Sequence, residues 1–556
     1  MKSKLIFFLL IFSAGAIHAQ QSKDVVLKAM QDELNRNLTE LKLPDREKPF
    51  FIMYGVVDQK NYSFGATLGS LTRSTENHIR YRSTARVLVG DYSFNDESLD
   101  DDLFSSSTSN DIELPLEDDY HGIRRSFWAT TDKVYRDAAQ NLEKNKESLK
   151  ETGKELKDVP HRTFAKTPTV SIVNSTAPFS FNKGDLEDRV RKLSELFLKH
   201  PTIFNSGVMI NYIEGKKYLA NTEGSLVKVP FRITSFTCIA FGKSADGEQF
   251  VNGVTHFAST PDKLPTDVQL ADEVNSLIHE METKTSIPKF SEEYSGPVLM
   301  MGQAVAEIFA SQLLGGNSPL AASDNITKLS GFQYDTEFYG NDSKIGKNIM
   351  HESVSVVAKP KLKTFNGVEL LGSFDVDDEC VTPANEVTLV DRGVLKELLN
   401  NRTITSQSQT ANGFNGGPGV LQINIASKES EKSLKKKLIE KAKKQGLNYA
   451  IIVRNSGAAG LRLLNVYKVS LKDGKEELLR DATLGNPDSK ILKRIAGATE
   501  NYKAYNLGNV RENTTRGGTG LTSLIVPDEV LFEELDVNRF RMPSIKETDY
   551  VKSPLE

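Results

Sequence analysis

Cysteine is scarce in this sequence, which includes only Cys238 and Cys380 among its 556 residues. Two cysteines exclude a disulfide scaffold and any zinc site made of several cysteines. In an oxidising compartment the two thiols could form one disulfide, but the sequence leaves open whether they meet. Isolated histidines stand at 78, 121, 161, 200 and 256. They indicate no local metal-binding motif.

An excess of basic residues is also missing, since 70 lysines and arginines face 74 aspartates and glutamates. The densest basic run, Lys435–Lys444, lies in a helical pattern that also carries Glu431 and Glu440, which is typical of a solvated helix face. A nucleic-acid binder would cluster its lysines and arginines on one surface. We therefore expect no nucleic-acid partner.

The N-terminus carries an unbroken apolar run, Leu5–Phe12, after Lys2 and Lys4 and before small residues that extend to Ala19. This order of basic, apolar and small-residue regions is typical of a secretory signal peptide. The run is shorter than the roughly 20 apolar residues that span a bilayer. We predict a signal peptide at residues 1–19, a periplasmic or secreted location, and no membrane span after its removal.

The length of the chain exceeds what one hydrophobic core usually holds, so two or three domains are expected. Residues 20–290 mix helical and strand patterns, which predicts an N-terminal mixed α/β domain. Residues 291–556 consist mostly of short apolar alternations separated by glycine-containing turns, which predicts a β-rich antiparallel C-terminal domain. The expected fold class is therefore α+β.

Apolar residues at helical spacing predict four helices in the first domain. They lie at Asp24–Leu41, with Asp24 as N-cap, Ala129–Leu156, Leu186–His200 and Asp267–Thr283. β-Branched and aromatic residues predict strands at 50–57, 62–68, 78–92, 206–213, 217–221 and 227–241. The helix at Ala129–Leu156 has many charges and few apolar positions, so we expect it to project over a surface or toward a partner.

Three local patterns suggest a metal or phosphate site, and none has the spacing that its chemistry needs. His279–Glu280 begins like a zincin helix, but Thr283 and Lys284 stand where a second histidine belongs, which favours an exposed helix end. His351–Glu352 is predicted on a strand, where adjacent side chains point to opposite faces. Thr515–Gly520 precedes a strand instead of the helix that would bind a phosphate, which favours a turn.

One segment, residues 296–307, reads Gly-Pro-Val-Leu-Met-Met-Gly-Gln-Ala-Val-Ala-Glu. Three others are Ala-Asn-Thr-Glu-Gly-Ser at 220–225, Gly-Ser-Phe-Asp-Val-Asp-Asp-Glu-Cys-Val-Thr-Pro at 372–383 and Val-Thr-Leu-Val-Asp-Arg-Gly-Val-Leu-Lys at 387–396. In their order and spacing these segments resemble the TldD/PmbA metallopeptidase family, over roughly residues 200 to 540.

The resemblance implies a zinc site in which one helix supplies two histidines and a glutamate, and a downstream cysteine completes the ligands. It equates Gly302 with the first histidine, Gln303 with the glutamate and Glu307 with the second histidine. Gly302 has no side chain to bind zinc, and the amide of Gln303 cannot act as a base. The stretch equated with the cysteine segment, Arg511–Gly520, contains no cysteine. We therefore expect no catalytic residues and no bound zinc at these cleft positions.

The acidic and turn motifs of the same resemblance add Asp378, Glu379 and Arg392 as candidate cleft residues. The leading hypothesis is a non-catalytic homologue that forms a homodimer, or that works beside a zinc-bearing TldD-like subunit in peptide processing. One alternative is an active hydrolase that uses other groups in the same cleft. The other alternative is a periplasmic protein that binds a peptide or small protein in the cleft by strand addition.

Overall fold

The computed structural model describes residues 24–99, 108–109, 112–159, 161–244, 249–314, 318–322, 341–405, 409–456, 464–485, 489–508 and 520–539. The signal peptide predicted at 1–19 lies outside these ranges, as does the segment Thr515–Gly520 except for its last residue. Within the described ranges, no helix is both long and apolar enough to cross a membrane. The architecture is α+β, which confirms the predicted fold class.

A seven-stranded sheet organises the N-terminal half of the chain. Its strands are β1 (Pro49–Thr67), β2 (Ser70–Val89), β3 (Thr108–Ser109), β5 (Ser171–Val173), β6 (Ile203–Asn221), β7 (Leu226–Lys243) and β8 (Gln249–Ala258); β4 (Thr163–Phe164) pairs elsewhere. The order is β3-β2-β1-β6-β7-β5, and β8 pairs with β7. Only the β5–β7 pair is parallel, so long antiparallel hairpins form the body of the sheet.

Two of these strands are longer than the sequence patterns predicted. The predicted strands 50–57 and 62–68 are one strand, β1, and those at 206–213 and 217–221 are joined in β6. The intervening polar residues resemble a turn but pair across the sheet. Asp58 lies opposite Arg80, whose Nη2 donates a hydrogen bond to Asp58 Oδ2 at 3.1 Å. Such opposite-charge pairs stabilise a strand that is locally polar.

Four helices accompany this sheet: α1 (Val25–Glu40), α2 (Tyr120–Thr152), α3 (Lys183–Glu195) and α4 (Asp267–Ser286). α1 begins at its predicted N-cap, because the Asp24 carboxylate accepts a hydrogen bond from the Leu27 amide at 3.1 Å. The second helix was predicted to project over a surface or against a partner, but it packs in the core of its own domain. α2 begins earlier, at Tyr120, and its buried stripe runs from Ile123 through Val134 to Leu142.

Alternation along β1 separates the two faces of the sheet. Tyr54 packs in a core cluster with α1 and α2, and Phe64 packs in one with α3 and α4. Phe51, on the other face, is in a cluster with Val376 and Cys380 of the C-terminal domain. Beside β1, the sheet therefore carries helices on one face and the C-terminal domain on the other.

The C-terminal half contains many short strands and two helices. The strands are β9 (Tyr294–Met301), β10 (Val354–Ala358), β11 (Thr364–Phe365), β12 (Val368–Glu369), β13 (Val387–Asp391), β14 (Val394–Leu395), β15 (Thr403–Ile404), β16 (Val420–Ile425), β17 (Tyr449–Ser456), β18 (Leu464–Ser470), β19 (Glu476–Leu478), β20 (Ala482–Leu484), β21 (Ile495–Ala498), β22 (Tyr502–Gly508), β23 (Leu521–Pro527) and β24 (Glu529–Arg539). The helices are α5 (Gln303–Leu314) and α6 (Glu431–Lys444). Since β10 begins at Val354, His351 and Glu352 precede the strand on which they were predicted.

Two sheets enclose the core of this half. One has the order β14-β13-β10-β16-β23-β22, and the other has β19-β18-β17-β9-β24-β20, with β21 on β24. Antiparallel pairs dominate, and the parallel exceptions are β16–β23 and β9–β17. α5 buries Ile308 and Phe309 in the core shared by both sheets, whereas α6 buries Leu434 and Leu438 in a separate cluster with β9, β17 and β24. The helix equated with the zinc motif is thus the central helix.

The acidic segment at 377–379 joins the two halves of the chain. Glu379 is 4% exposed, and its Oε1 accepts a hydrogen bond from Arg86 Nη1 of β2 at 2.6 Å. Its Oε2 accepts one from the Arg402 amide at 2.7 Å. Asp378 Oδ1 accepts one from Lys217 Nζ of β6 at 2.5 Å. Two carboxylates of the C-terminal domain therefore bind two cations of the N-terminal sheet.

Arg402 strengthens the same contact from the C-terminal side. Its side chain is fully buried, and its Nη2 donates a hydrogen bond to Glu223 Oε1 at 2.7 Å. The guanidinium lies 4.2 Å from the ring centroid of Phe164, and the adjacent strands β4 and β15 pair with each other. Burial of an arginine at this position requires both the carboxylate and the ring, because an unpaired buried charge is costly.

The first prediction tests this contact by truncation of its buried carboxylate. Glu379→Ala leaves Arg86 without one of its partners, so the free energy of unfolding should fall by about 3 kcal/mol, as expected for a broken buried ion pair. Lys363→Ala is the control, because Lys363 and Asp375 form an exposed pair worth less than about 1 kcal/mol. Urea denaturation measures both, and an equal effect of the two changes would contradict the assigned role.

Candidate functional site

The helix equated with the zinc motif begins one residue later than the resemblance implies. α5 starts at Gln303, and Gly302 precedes it in the left-handed conformation, with φ of +63°. The Gly302 amide donates a hydrogen bond to the Asp528 carbonyl at 2.7 Å, and the Gly302 carbonyl accepts one from the Val305 amide at 3.1 Å. The position equated with the first zinc ligand is therefore a turn residue held by the β23–β24 connection.

Gln303 and Glu307, the other two motif-equivalent residues, bind each other. Gln303 Nε2 donates a hydrogen bond to Glu307 Oε1 at 2.8 Å, and Glu307 is 8% exposed. Their four-residue spacing places both side chains on one face of α5. The first turn of the helix thus contains an internal amide–carboxylate contact.

A cleft of about 600 Å³ lies beside Gly302 and Gln303, between the two halves of the chain. Its N-terminal wall comes from β8 and α4 and includes His256, Glu273 and Glu280. The C-terminal wall includes Met301, Arg454, Asn465, Lys503, Tyr505, Asp528 and Glu529. This volume lies in the range of small-molecule sites, so two of the motif-equivalent positions line a cavity large enough for a ligand.

The prediction that His279–Glu280 is an exposed helix end is wrong for Glu280. His279 is exposed, but Glu280 Oε2 accepts hydrogen bonds from Asn252 Nδ2 at 3.1 Å and from Asn465 Nδ2 at 2.8 Å. Lys284, at 6% exposure, donates to Asn465 Oδ1 at 3.2 Å, and burial lowers its pKa. These contacts join α4 to β18 along the wall of the cleft.

Several charged groups of the cleft have a partner of opposite charge. Lys503 Nζ lies 2.7 Å from Asp528 Oδ2, and Arg454 Nη1 lies 2.5 Å from Glu476 Oε2. The two charges of each pair are opposite, so the pairs contribute little net charge to the cavity. His256 Nε2 forms a hydrogen bond with Glu273 Oε2 at 2.5 Å.

Glu529 differs from these groups. It is 6% exposed, and its Oε2 accepts no hydrogen bond from any residue in the described ranges. Burial, followed by the negative charges of Glu431 and Asp528, raises the pKa of Glu529 to about 7, although Arg454 and Lys503 act in the opposite direction. The sequence analysis missed this residue. Its only sequence feature is a pair of adjacent acids, Asp528 and Glu529, between two apolar strands.

The structure places the other candidate cleft residues apart from this cavity. Asp378 lines a separate cavity of about 250 Å³ beside the glycine-rich loop 415–419, and Glu379 is buried in the interdomain contact. Arg392 occupies the turn between β13 and β14 with φ of +47°, and its side chain is 82% exposed. Asp378, Glu379 and Arg392 all belong to motifs that resemble the family, but they do not lie together at this cavity.

Both cysteines are buried free thiols and form no disulfide with each other. Cys238 lies in the core beneath α3 and α4, and Cys380 lies in the interdomain cluster with Phe51. Burial raises the pKa of the Cys238 thiol to about 12. Neither cysteine lines the cleft, so neither can replace the downstream cysteine that the resemblance implies.

A zinc ion needs three or four ligand atoms about 2 Å away. Within the described part of the chain, no group of three or more histidine, cysteine, aspartate or glutamate side chains is arranged to hold a metal. At the motif positions Gly302 offers no side chain, and the Gln303 amide is hydrogen-bonded to Glu307. The residues present here do not fit the zinc ion that the family resemblance implies.

Residues 293–538 match the family described as the PmbA/TldA metallopeptidase C-terminal domain. The C-terminal half of the chain therefore belongs to the TldD/PmbA family. This match confirms the resemblance seen in the ordered sequence motifs. No curated protein is significantly similar in sequence to the chain.

Solved structures of similar fold extend the likeness in fold to both halves of the chain. A protein from Thermotoga maritima, named a candidate modulator of a DNA gyrase, shares 17% identity with a TM-score of 0.54, covering 88% of this chain and 96% of its own. A candidate modulator of DNA gyrase from Bacteroides thetaiotaomicron shares 11% identity with a TM-score of 0.55, covering 93% and 99%. TldE from Thermococcus kodakarensis shares 11% identity with a TM-score of 0.54, covering 92% and 100%. At these identities the likeness concerns the fold alone.

Substitution at Gly302 tests the left-handed turn before α5. Among the described residues, only Tyr505 Oη, at 3.7 Å, lies within 4 Å of a Cβ atom placed there, so the strain in Gly302→Ala comes from its backbone conformation. We expect a loss of about 1 to 2 kcal/mol in the free energy of unfolding. Gly302→Asn should lose less, because asparagine adopts this conformation more readily. Urea denaturation distinguishes the two variants, and an alanine variant as stable as the native protein would refute the turn geometry.

Glu529 gives the stability of the protein a pH dependence of known sign. Because its folded pKa is raised from 4.5 to about 7, its contribution to stability is full below pH 4.5 and is lost as the pH rises to about 7. Glu529→Gln cannot ionise, so relative to the native protein it should gain about 1 to 2 kcal/mol between pH 5 and pH 8. Thermal unfolding at both pH values measures this gain. Glu533→Gln, an exposed position on the same strand, should show none.

Proposed function

We propose that this protein is a non-catalytic TldD/PmbA homologue whose inherited cleft serves binding in place of zinc-dependent hydrolysis. The observation that carries the proposal is the left-handed Gly302 at the position equated with the first histidine. A ligand at that position would need a side chain, and the left-handed backbone here disfavours any residue with a Cβ atom. The Gln303–Glu307 hydrogen bond supports the same conclusion for the rest of the motif.

A hydrolase that uses other groups in the cleft is the alternative from the enzyme class. Glu529 favours it, since a buried carboxyl with a raised pKa is a common feature of acid–base catalysts. Such an enzyme also needs a nucleophile or an activated water. Neither cysteine lines the cleft, and the hydrogen bond of His256 goes to Glu273, whereas the hydroxyl of Ser276, another cleft residue, donates to the Asp272 carbonyl at 2.9 Å. The binding proposal therefore has the stronger support.

We further propose that the protein acts outside the cytoplasm, as a homodimer or beside a zinc-bearing TldD-like subunit. The N-terminal sequence pattern supports export, and the resemblance to the TldD/PmbA family is the ground for proposing assembly with a related chain. Light scattering of the purified protein would distinguish one chain from two. Affinity purification from the native host would recover a zinc-bearing partner if the second arrangement is correct.

Metal analysis tests the non-catalytic proposal. After mild purification without added zinc, the protein should carry much less than one zinc ion per chain, and it should not cleave an unstructured peptide in the presence or absence of added zinc. One tightly bound zinc ion per chain, lost with a peptidase activity on chelation, would overturn the proposal.

Rebuilding the motif provides a second measurement of the same proposal. The triple variant Gly302→His, Gln303→Glu, Glu307→His should bind zinc only weakly by calorimetry, because the first position has a strained backbone and the third ligand is still missing. The single variant Gln303→Glu is the control and should gain no zinc affinity. Tight zinc binding by the triple variant would show that the scaffold of the site is intact.

A further inference from the structure

Glu529 occupies a defined place at the edge of the cleft. It is the first residue of β24 and lies opposite Met301 of β9. Its backbone amide donates a hydrogen bond to Thr499 Oγ1 at 3.1 Å, which fixes the position of the residue. Among the described residues, the neighbouring Gly302 leaves space beside it, because a Cβ atom at that position would meet only Tyr505 Oη within 4 Å. A carboxylate and an open volume therefore adjoin each other where the family motif places its first ligand.

The charges around Glu529 do not compensate it. Lys503 is bound to Asp528, and Arg454 is bound to Glu476, so the two nearest cations already have carboxylate partners. Glu431 of α6 adds a further negative charge nearby. A buried carboxylate without its own cation is costly, and this cost is removed when a ligand supplies a positive charge.

We propose that the cleft binds a ligand bearing a primary ammonium group, such as a lysine side chain of a peptide, through the carboxylate of Glu529. The inference rests on the proposed function in one respect, namely that the cleft is used for binding. Oε2 of Glu529 is enclosed by protein, so only one oxygen can face the cavity. One oxygen suits a compact ammonium group better than a guanidinium, which binds carboxylates through two parallel hydrogen bonds.

Calorimetry with two small probes tests the inference on the full-length protein at pH 8. Nα-acetyl-lysine amide should bind, and Nα-acetyl-glutamine amide, which has no positive charge, should bind at least about tenfold more weakly. Glu529→Gln should lower the affinity for the lysine probe by a similar factor, whereas Glu533→Gln should leave it unchanged. Thermal unfolding of both variants shows that they are folded.

The pH dependence of binding identifies the responsible group. The affinity of the native protein for the lysine probe should rise between pH 6 and pH 8, because the Glu529 carboxyl loses its proton in this range. The other ionisable groups in or near the cleft are unchanged in Glu529→Gln, so any dependence that they cause persists in that variant. They are His256, Asp272, Glu273, Glu280, Glu431, Arg454, Lys503, Tyr505 and Asp528. The difference between the two proteins therefore isolates Glu529.

The result that overturns the inference is an absence of lysine-probe binding, equal binding of both probes, or equal affinity in Glu529→Gln. These outcomes are separate from failure of the proposed function. A zinc-dependent peptidase activity would overturn the non-catalytic proposal and leave the lysine-probe result as measured. Conversely, a protein that carries no zinc and does not bind the lysine probe would refute only the proposal that the ligand bears an ammonium group.

Discussion

The buried contact between Glu379 and Arg86 is the constraint on which the arrangement of the cleft depends. It holds the segment 377–379 of the C-terminal domain against the N-terminal sheet, together with the Asp378–Lys217 pair. One wall of the cleft comes from each domain, so a rotation between the domains would change the cavity. Buried ion pairs resist such a rotation, because separation leaves charges without partners in a low-dielectric interior. Glu280 and Lys284 add contacts to Asn465 on the cleft side.

Within this frame the fold of the family is retained, and α5 is the helix equated with its zinc motif. α5 is packed at the centre of the C-terminal domain, where Ile308 and Phe309 are fully buried, so the helix is required for the core whether or not it carries ligands. Its first turn holds an amide–carboxylate pair at the positions equated with the motif's glutamate and second histidine. Glu529, contributed by a distant part of the chain, lies at the edge of this cavity, and its buried Oε2 accepts no hydrogen bond from the described residues.

Sequence patterns located most elements but misjudged those whose environment is set by distant residues. The interruption predicted in β1 is continuous strand because Asp58 pairs with Arg80 across the hairpin. α2 was expected to project because charges outnumber its apolar residues, yet Val134, Ala138 and Leu142 form a buried stripe against α1 and the sheet. Glu280 was assigned to an exposed helix end, although two asparagines from other strands bind it. In each case the deciding partner is far away in sequence.

The sequence by itself determined the fold class, the N-cap of α1 and the family of the C-terminal half, because periodicity and ordered motifs are properties of local segments. It also determined that Gly302 and Gln303 cannot provide the motif's ligand and base, since that follows from side-chain chemistry alone. Only the tertiary structure decided that Asp378, Glu379 and Arg392 stand apart from the cleft, that the two thiols do not meet, and that Glu529 lies beside Gly302. Those facts depend on which strands pair across sheets and domains, and pairing between distant segments has no signature in a single stretch of sequence.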